Sequence, residues 1–236
     1  MSEDGTFDAP VVAVDGPAGA GKSTASRGLS IRLGYRYYDT GAIYRALAWI
    51  ARDLGVNWEG KDQDLVALCG DLSLEFKRNS GQENDWRSLV NGKDLTEELK
   101  GEQVGRGASI VSVRPAVRKA LLGLQRRQAV PPGLVMEGRD VGTVVFPKAN
   151  VKLFVTADVK ERARRRWSEM QRNSRAGSLE LVEKEIRERD ERDKNRAVAP
   201  LLPAEDAVVI DTTNLNVDEV VEIMVDITFQ RLSVRL

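Results

Sequence analysis

The chain has 236 residues, 36 basic and 36 acidic, so its formal net charge is zero; such a balance argues against a general nucleic-acid binder, which is basic overall. Hydrophobic residues make up 42% and charged residues 31%, the composition of a globular, soluble chain long enough for one α/β domain with an insertion. There is no histidine and a single cysteine, Cys69. A Ser-His-Asp hydrolase, a His-ligated zinc site and an internal disulfide framework are thereby excluded, and Cys69 reads as a small buried apolar residue.

Residues 1–9 are polar and acidic and read as a flexible tail, unlike a secretory signal. No apolar run approaches transmembrane length, so no membrane role and a cytoplasmic location are expected. Val11-Val12-Ala13-Val14 is a short branched apolar run, the pattern of a buried parallel strand. Gly16-Pro17-Ala18-Gly19-Ala20-Gly21-Lys22-Ser23 then fits G-x-x-x-x-G-K-[ST] at every fixed position. A helix follows over Thr24 to Leu33, with Ala25, Leu29 and Leu33 at four-residue spacing and Gly34 as its stop. Strand, glycine loop and helix together form the context of a phosphate-binding loop. Glycines let successive backbone N–H groups turn inward on an anion, and the helix N-terminus adds partial positive charge. Lys22 is placed to reach the β/γ-phosphates and Ser23 to ligate Mg²⁺. The motif implies a nucleoside triphosphate but leaves the acceptor open.

Tyr35 to Tyr38 is a candidate second strand, and Asp39-Thr40-Gly41 opens a helix that stops at Gly55. Asp62 to Cys69 reads as a short helix. Leu72 to Phe76 alternates with period two, Trp86 to Val90 is another strand candidate, and Asn91-Gly92 is a strong hairpin signal. Residues ~70–95 therefore read as a small antiparallel insertion. Helices are expected over 96–112 and 115–130, broken before Pro115. Leu134 to Glu137, Val151 to Val155 and Ala207 to Ile210 are further buried strands. Asp158 and Glu161 start a long charged helix that gives way near Asn173 to Gly177, and Ser178 caps another that runs to about Asn195. Asn216 and Glu219 cap a last helix with Val217, Val220, Val221, Met224, Ile227 and Leu232 as its buried face. Strands alternating with helices imply a doubly wound parallel sheet, which takes ligands at the carboxyl ends of its strands.

Four clusters fall where such a sheet presents a ligand. Arg45 follows Asp39 and Thr40 on one helix. Arg139 and Asp140 lie just past the third buried strand. Arg189, Asp193 and Arg196, at i, i+4 and i+7, share one helix face. Ser109 and Arg118 flank the break at Pro115. Each has a plainer alternative. Asp39 or Thr40 serves as a helix cap, and Arg139-Asp140 as a structural ion pair. Residues 160–196, with 13 basic and 9 acidic side chains, serve as a solvated face.

Taken together, four stretches resemble the bacterial cytidylate kinase family: Gly16 to Ser23, Asp39 to Arg45, Glu137 to Pro147 and Arg189 to Leu201. The resemblance runs from about residue 10 to the last helix. It implies an α/β fold of the P-loop three-layer type. A five-stranded parallel sheet, a small antiparallel insertion and a short helical lid are its parts. The kinase domain would span 10–236, with a nucleotide-monophosphate-binding region over 40–130, the insertion at about 70–95 and the lid at about 162–178. The implied activity is ATP-dependent phosphorylation of CMP and dCMP, in pyrimidine nucleotide metabolism. ATP would be bound by Gly16, Pro17, Ala18, Gly19, Ala20, Gly21, Lys22, Ser23 and Thr24. Arg45, Arg139 and Arg189 would hold the CMP phosphate, Asp193 the ribose, and Ser109, Arg118 and Asp140 the cytosine, with Thr40 beside them. Lys22, Arg189, Arg196 and the lid arginines Arg162 and Arg165 would be catalytic. Mg²⁺, arriving with ATP, would be held by Ser23, with Glu137 a candidate to reach it through water. The implied protein is a monomer working on small molecules. Two positions depart from the usual pattern: Glu137 stands where aspartate is common, and Thr40 where serine is common.

The missing histidines agree with this chemistry. An acceptor phosphate is already ionised near neutral pH, so the protein must align two anions and neutralise charge rather than supply a strong base. A regulatory GTPase would need Asn-Lys-x-Asp after a strand. The nearest approach, Asn91-Gly92-Lys93-Asp94, has the wrong spacing. A kinase for UMP or another small acceptor, or an RNA-associated protein using the arginine-rich helices, are the remaining alternatives.

Overall fold

The computed structural model of the chain describes residues 9–79, 86–172 and 177–233, residue 172 by its backbone alone. The tail expected over 1–9, except Ala9, lies outside the described residues. So do 80–85 of the insertion and the lid's break at 173–176. In chain order the elements are β1 (Val11–Asp15), α1 (Lys22–Leu33), β2 (Arg36–Asp39), α2 (Thr40–Asp53) and α3 (Asp62–Gly70). Next come β3 (Leu74–Arg78), β4 (Trp86–Val90), β5 (Lys93–Asp94), α4 (Glu102–Val111) and α5 (Pro115–Arg126). The chain continues through β6 (Leu134–Gly138), β7 (Val151–Thr156), α6 (Val159–Arg172), α7 (Leu179–Lys194), β8 (Val208–Asp211) and α8 (Val217–Ser233).

The main sheet has five strands in the order β2-β6-β1-β7-β8. β1 runs parallel to β6 and β7, and β7 to β8. Every residue of β1 and β6 is buried, as central strands covered on both faces require, and their near-continuous apolar sequences follow from that. The chain divides into two compact units, Tyr38–Gln128 and the remainder.

The larger unit, residues 1–37 with 129–236, packs Val12, Val14, Leu29, Val135, Leu153, Ile210, Val221 and Met224 into one core. α1 lies against α8 in it. A Cβ on Gly28 would come within 2.7 Å of Val221, so glycine at that position lets the two helices approach. The capping box of α8 is present: Asn216 N–H donates to Glu219, and Glu219 N–H to Asn216 Oδ1 at 3.0 Å. Its buried face differs from the expected one. Val217 is 49% exposed, whereas Val225 and Thr228 are buried. Val217 is the first residue of the helix. α6 and α7 share a small core of Ala163, Val182 and Ile186.

The smaller unit holds α2 to α5 and a three-stranded antiparallel sheet in the order β3-β4-β5. Asn91 and Gly92 make the β4–β5 turn with φ of 48° and 80°, the positive values that a two-residue hairpin needs. The expected helix over 96–112 is instead a short 3-10 turn at Glu98–Lys100 followed by α4, because Gly101 has an extended ψ of 140°. Arg114 clasps this unit, donating to Trp58 O and Gly60 O at 2.6 Å each and pairing with Asp62. Cys69 is buried, as its apolar reading expects.

Candidate active site

The phosphate loop joins β1 to α1, and its backbone explains its glycines. Gly16 has φ of +146°, and a Cβ there would lie 1.9 Å from the Val155 carbonyl oxygen. Gly21 is left-handed at φ 84° and forms the N-cap of α1, a conformation open to glycine at little steric cost. The loop therefore ends at the N-terminus of α1, where the dipole favours an anion. Lys22 lies within, 5% exposed, and its Nζ donates to Pro17 O at 2.7 Å. Burial, and then the charge of Arg139, push its ammonium down to about 7. The charges of Glu137 and Asp15 oppose that fall.

Glu137, at the carboxyl end of β6, is 3% exposed. Its Oε2 accepts from the Ser23 hydroxyl at 3.0 Å, and its Oε1 accepts from the Tyr37 hydroxyl. The described residues hold no cluster of three or more His, Cys, Asp or Glu able to bind a metal alone. One hydroxyl and one carboxylate beside a phosphate loop nevertheless suit Mg²⁺, which keeps several waters and is usually shared with substrate phosphates.

Asp15 is the last residue of β1. Its Oδ1 accepts from Val141 N–H at 2.8 Å and its Oδ2 from Gly142 N–H at 2.7 Å. These two amides open a π-helical turn, Val141–Val145, directly after Asp140. The residue before the phosphate loop thus fixes the turn that follows Arg139 and Asp140. Burial pushes the Asp15 carboxyl up to about 6, against the lowering effect of the two amides. Asp140 is itself buried. Arg139 donates from Nε to Asp193 Oδ2 at 3.0 Å and from Nη1 to Gly138 O at 3.1 Å.

The arginines of α6 hold the loop from its other side. Arg162, 5% exposed, donates to both carboxylate oxygens of Asp190, at 3.1 and 2.7 Å, and to the carbonyls of Ala18 and Ala157. Arg165 donates to Glu161 Oε1 at 2.8 Å and to Thr212 O at 2.6 Å, while Thr212 donates to Ala20 O at 3.2 Å. Arg189 is exposed on α7, yet its charge reaches Lys22. Arg196 is not on the helix face shared by Arg189 and Asp193. α7 ends at Lys194, with Asn195 as its C-cap, so Arg196 stands in the segment beyond.

In the smaller unit, Asp39 rather than Thr40 caps α2, accepting from Gly41 N–H at 2.7 Å, and it also pairs with Arg45 at 3.1 Å. Thr40 is buried in the first position of that helix. Arg118 on α5 donates to Ser112 O at 3.1 Å and lies 5.8 Å from the centroid of the Tyr44 ring. Ser112 in turn donates to Ser109 O at 3.2 Å, so Ser109 and Arg118 are joined across the break before Pro115. Asp15, Tyr37, Tyr44, Ser112, Asp190 and Thr212 take part in these networks and escape sequence reasoning. Only Asp15 leaves a signal, a carboxylate closing an otherwise apolar strand.

A parallel sheet with this loop between β1 and α1 defines a P-loop nucleotide-binding protein of the α/β class. The family model described as cytidylate kinase matches residues 12–230. A cytidylate kinase from Aliivibrio salmonicida is 48% identical over 92% of the chain and 95% of its own length. One from Pseudomonas fluorescens is 47% identical over 91% and 93%, and one from Shewanella halifaxensis 44% identical over 96% and 97%. The chain belongs to the cytidylate kinase family. No helix among the described residues is long and apolar enough to cross a membrane.

Proposed function

We propose that the protein transfers the γ-phosphoryl group of ATP directly, in line, to the phosphate of CMP or dCMP. The observation that carries this reading is the register of β1 and β6. Asp15 pairs with Gly138, so the phosphate loop leaves one strand beside the point where Arg139 and Asp140 leave the next. That register supports a reading in which a donor cradle and an acceptor clamp lie side by side.

In this reading Gly16 to Thr24 hold the donor phosphates, and Lys22 neutralises charge as the phosphoryl group moves. Arg45, Arg139 and Arg189 hold the acceptor phosphate, Asp193 the ribose, and Ser109, Arg118 and Asp140 the base, with Thr40 at the same helix start as Arg45. Ser23 would hold Mg²⁺, with Glu137 beside it as a candidate to reach the ion through water. The ion would supply positive charge against the donor phosphates. Arg196 and Arg165 face the moving group. Arg162, committed to Asp190 and to the Ala18 carbonyl, contributes by fixing the loop. The insertion at about 70–95 and the lid at about 162–178 would close to exclude water, which would otherwise hydrolyse ATP. The enzyme is a cytoplasmic monomer on this view, with small-molecule substrates and no nucleic-acid partner.

A coupled assay with ATP and Mg²⁺ across CMP, dCMP, UMP, AMP and GMP tests the proposal. CMP and dCMP should be turned over at least ~10²-fold more efficiently than UMP, the scale that a polar mismatch in a buried pocket provides. Comparable rates with UMP would replace the substrate assignment.

A further inference from the structure

The two oxygens of the Glu137 carboxylate have different partners. Oε2 accepts from the hydroxyl of Ser23, the phosphate-loop residue placed to ligate Mg²⁺, and Oε1 accepts from the phenol of Tyr37. Both Glu137 and Tyr37 are almost fully buried, at 3% and 4% exposure. Glutamate has one more rotatable bond than the aspartate common at this position, so its carboxylate needs more restraint to occupy one place. Tyr37 supplies a donor from β2, the strand next to β6 in the sheet. Its ring is held in turn: the Arg27 guanidinium lies over it, 5.2 Å from the centroid. Arg27 belongs to α1, the helix that begins with Lys22 and Ser23. The chain of contacts therefore starts on α1 at Arg27, passes through Tyr37 and Glu137, and finishes at Ser23 in the first turn of the same helix.

The geometry points to Tyr37 as a positioning residue for the cation site. By occupying Oε1, the phenol keeps Oε2 on the Ser23 hydroxyl. The serine proton is then directed at Glu137, and the serine oxygen lone pairs are left for a divalent cation. A phenylalanine would fill the same volume but release the carboxylate to turn. The inference rests on the nucleotide–cation part of the proposed function and on no assumption about the acceptor.

Binding of a fluorescent N-methylanthraniloyl ADP to wild type and Tyr37→Phe, with Mg²⁺ and with EDTA, tests it without turnover. In Mg²⁺ the variant should bind about tenfold more weakly, and half-saturation in free Mg²⁺ should rise by about the same factor. In EDTA the two proteins should bind alike, and the KM for CMP should be unchanged. In a Glu137→Gln background, adding Tyr37→Phe should leave the Mg²⁺ dependence as it was, because the phenol acts through the carboxylate. That pair also serves if the single variant fails to fold, since it removes the buried charge left behind. Equal weakening with Mg²⁺ and with EDTA, or a further loss in the Glu137→Gln background, overturns the positioning role and leaves the proposed function standing. Wild-type binding indifferent to Mg²⁺ overturns both.

Discussion

Arg139 and Asp193 share a hydrogen-bonded ion pair at 3.0 Å, joining the carboxyl end of β6 to the last turn of α7. Their side chains are 20% and 17% exposed, dry enough for the pair to hold its geometry and wet enough for a substrate to reach it. Asp193 thus aims the guanidinium. Arg139→Ala should raise the KM for CMP by ~10–10²-fold, the loss of charge-assisted bonds to phosphate, while the KM for ATP changes far less. Steady-state kinetics with each substrate varied in turn decide this. Equal losses for both would make Arg139 structural or shared.

Lys22→Ala should fold and lose at least ~10²-fold in kcat, since positioned charge on the phosphates is the main catalytic effect here. Among the described residues the ammonium bonds to the Pro17 carbonyl, so the loss in melting temperature should be a few degrees at most. Circular dichroism with a coupled assay separates the two effects. Near-normal turnover by a well-folded variant would remove the loop from the mechanism.

Base choice should depend on Asp140. An ionised carboxylate only accepts hydrogen bonds. It suits the cytosine amino group and opposes the uracil carbonyl, a polar mismatch of about 1–3 kcal/mol or more. In Asp140→Ala, kcat/KM for CMP should fall and the CMP/UMP ratio should collapse toward one. A ratio that stays high while both rates fall together would make Asp140 an orienter of Arg139.

Asp15 gives a pH signature. Its carboxyl lies near 6 in the folded protein, against 3.8 for the ordinary group, so between those values the folded state binds the extra proton. Stability from this group is full below the lower value and is lost as pH rises through the higher one. The shift corresponds to ~3 kcal/mol. Urea midpoints of wild type and Asp15→Asn, followed from pH 4 to 7, should show wild type losing ground to the variant as pH rises. Parallel curves would mean an ordinary carboxyl.

Much of this architecture is legible in the sequence because it is built from local signals. The apolar run Val11 to Val14, the loop glycines and the Asn91-Gly92 turn each specify their own backbone, and all appear where expected. The helix expected over 96–112 failed at Gly101, whose extended backbone no periodicity announces. Arg196 was assigned to a helix face because spacing alone cannot show that α7 stops at Lys194. Val217 falls on the face that helical spacing marks as buried, yet it is exposed: spacing says nothing of where a helix first meets its neighbour. In the site, residue types with intrinsic chemistry stood out, whereas Tyr37 and Thr212 did not. Their roles depend on partners 100 and 192 positions away, and a tyrosine in a strand reads first as packing.

The core beneath the phosphate loop joins β1 and α1 to β8 and α8, and this bears on how the protein is made. Roughly 180 residues separate α1 from α8, an interval of about 10–40 s at ribosomal rates of ~5–20 residues per second. A nascent chain therefore presents Leu29, Val12 and Val14 before Val221 and Met224 exist to cover them. Tyr38–Gln128, being contiguous, makes its own contacts in the meantime. The loop between β1 and α1 is therefore made well before β8 and α8 can support it, and during that interval the emerging polypeptide offers chaperones an apolar strand and helix.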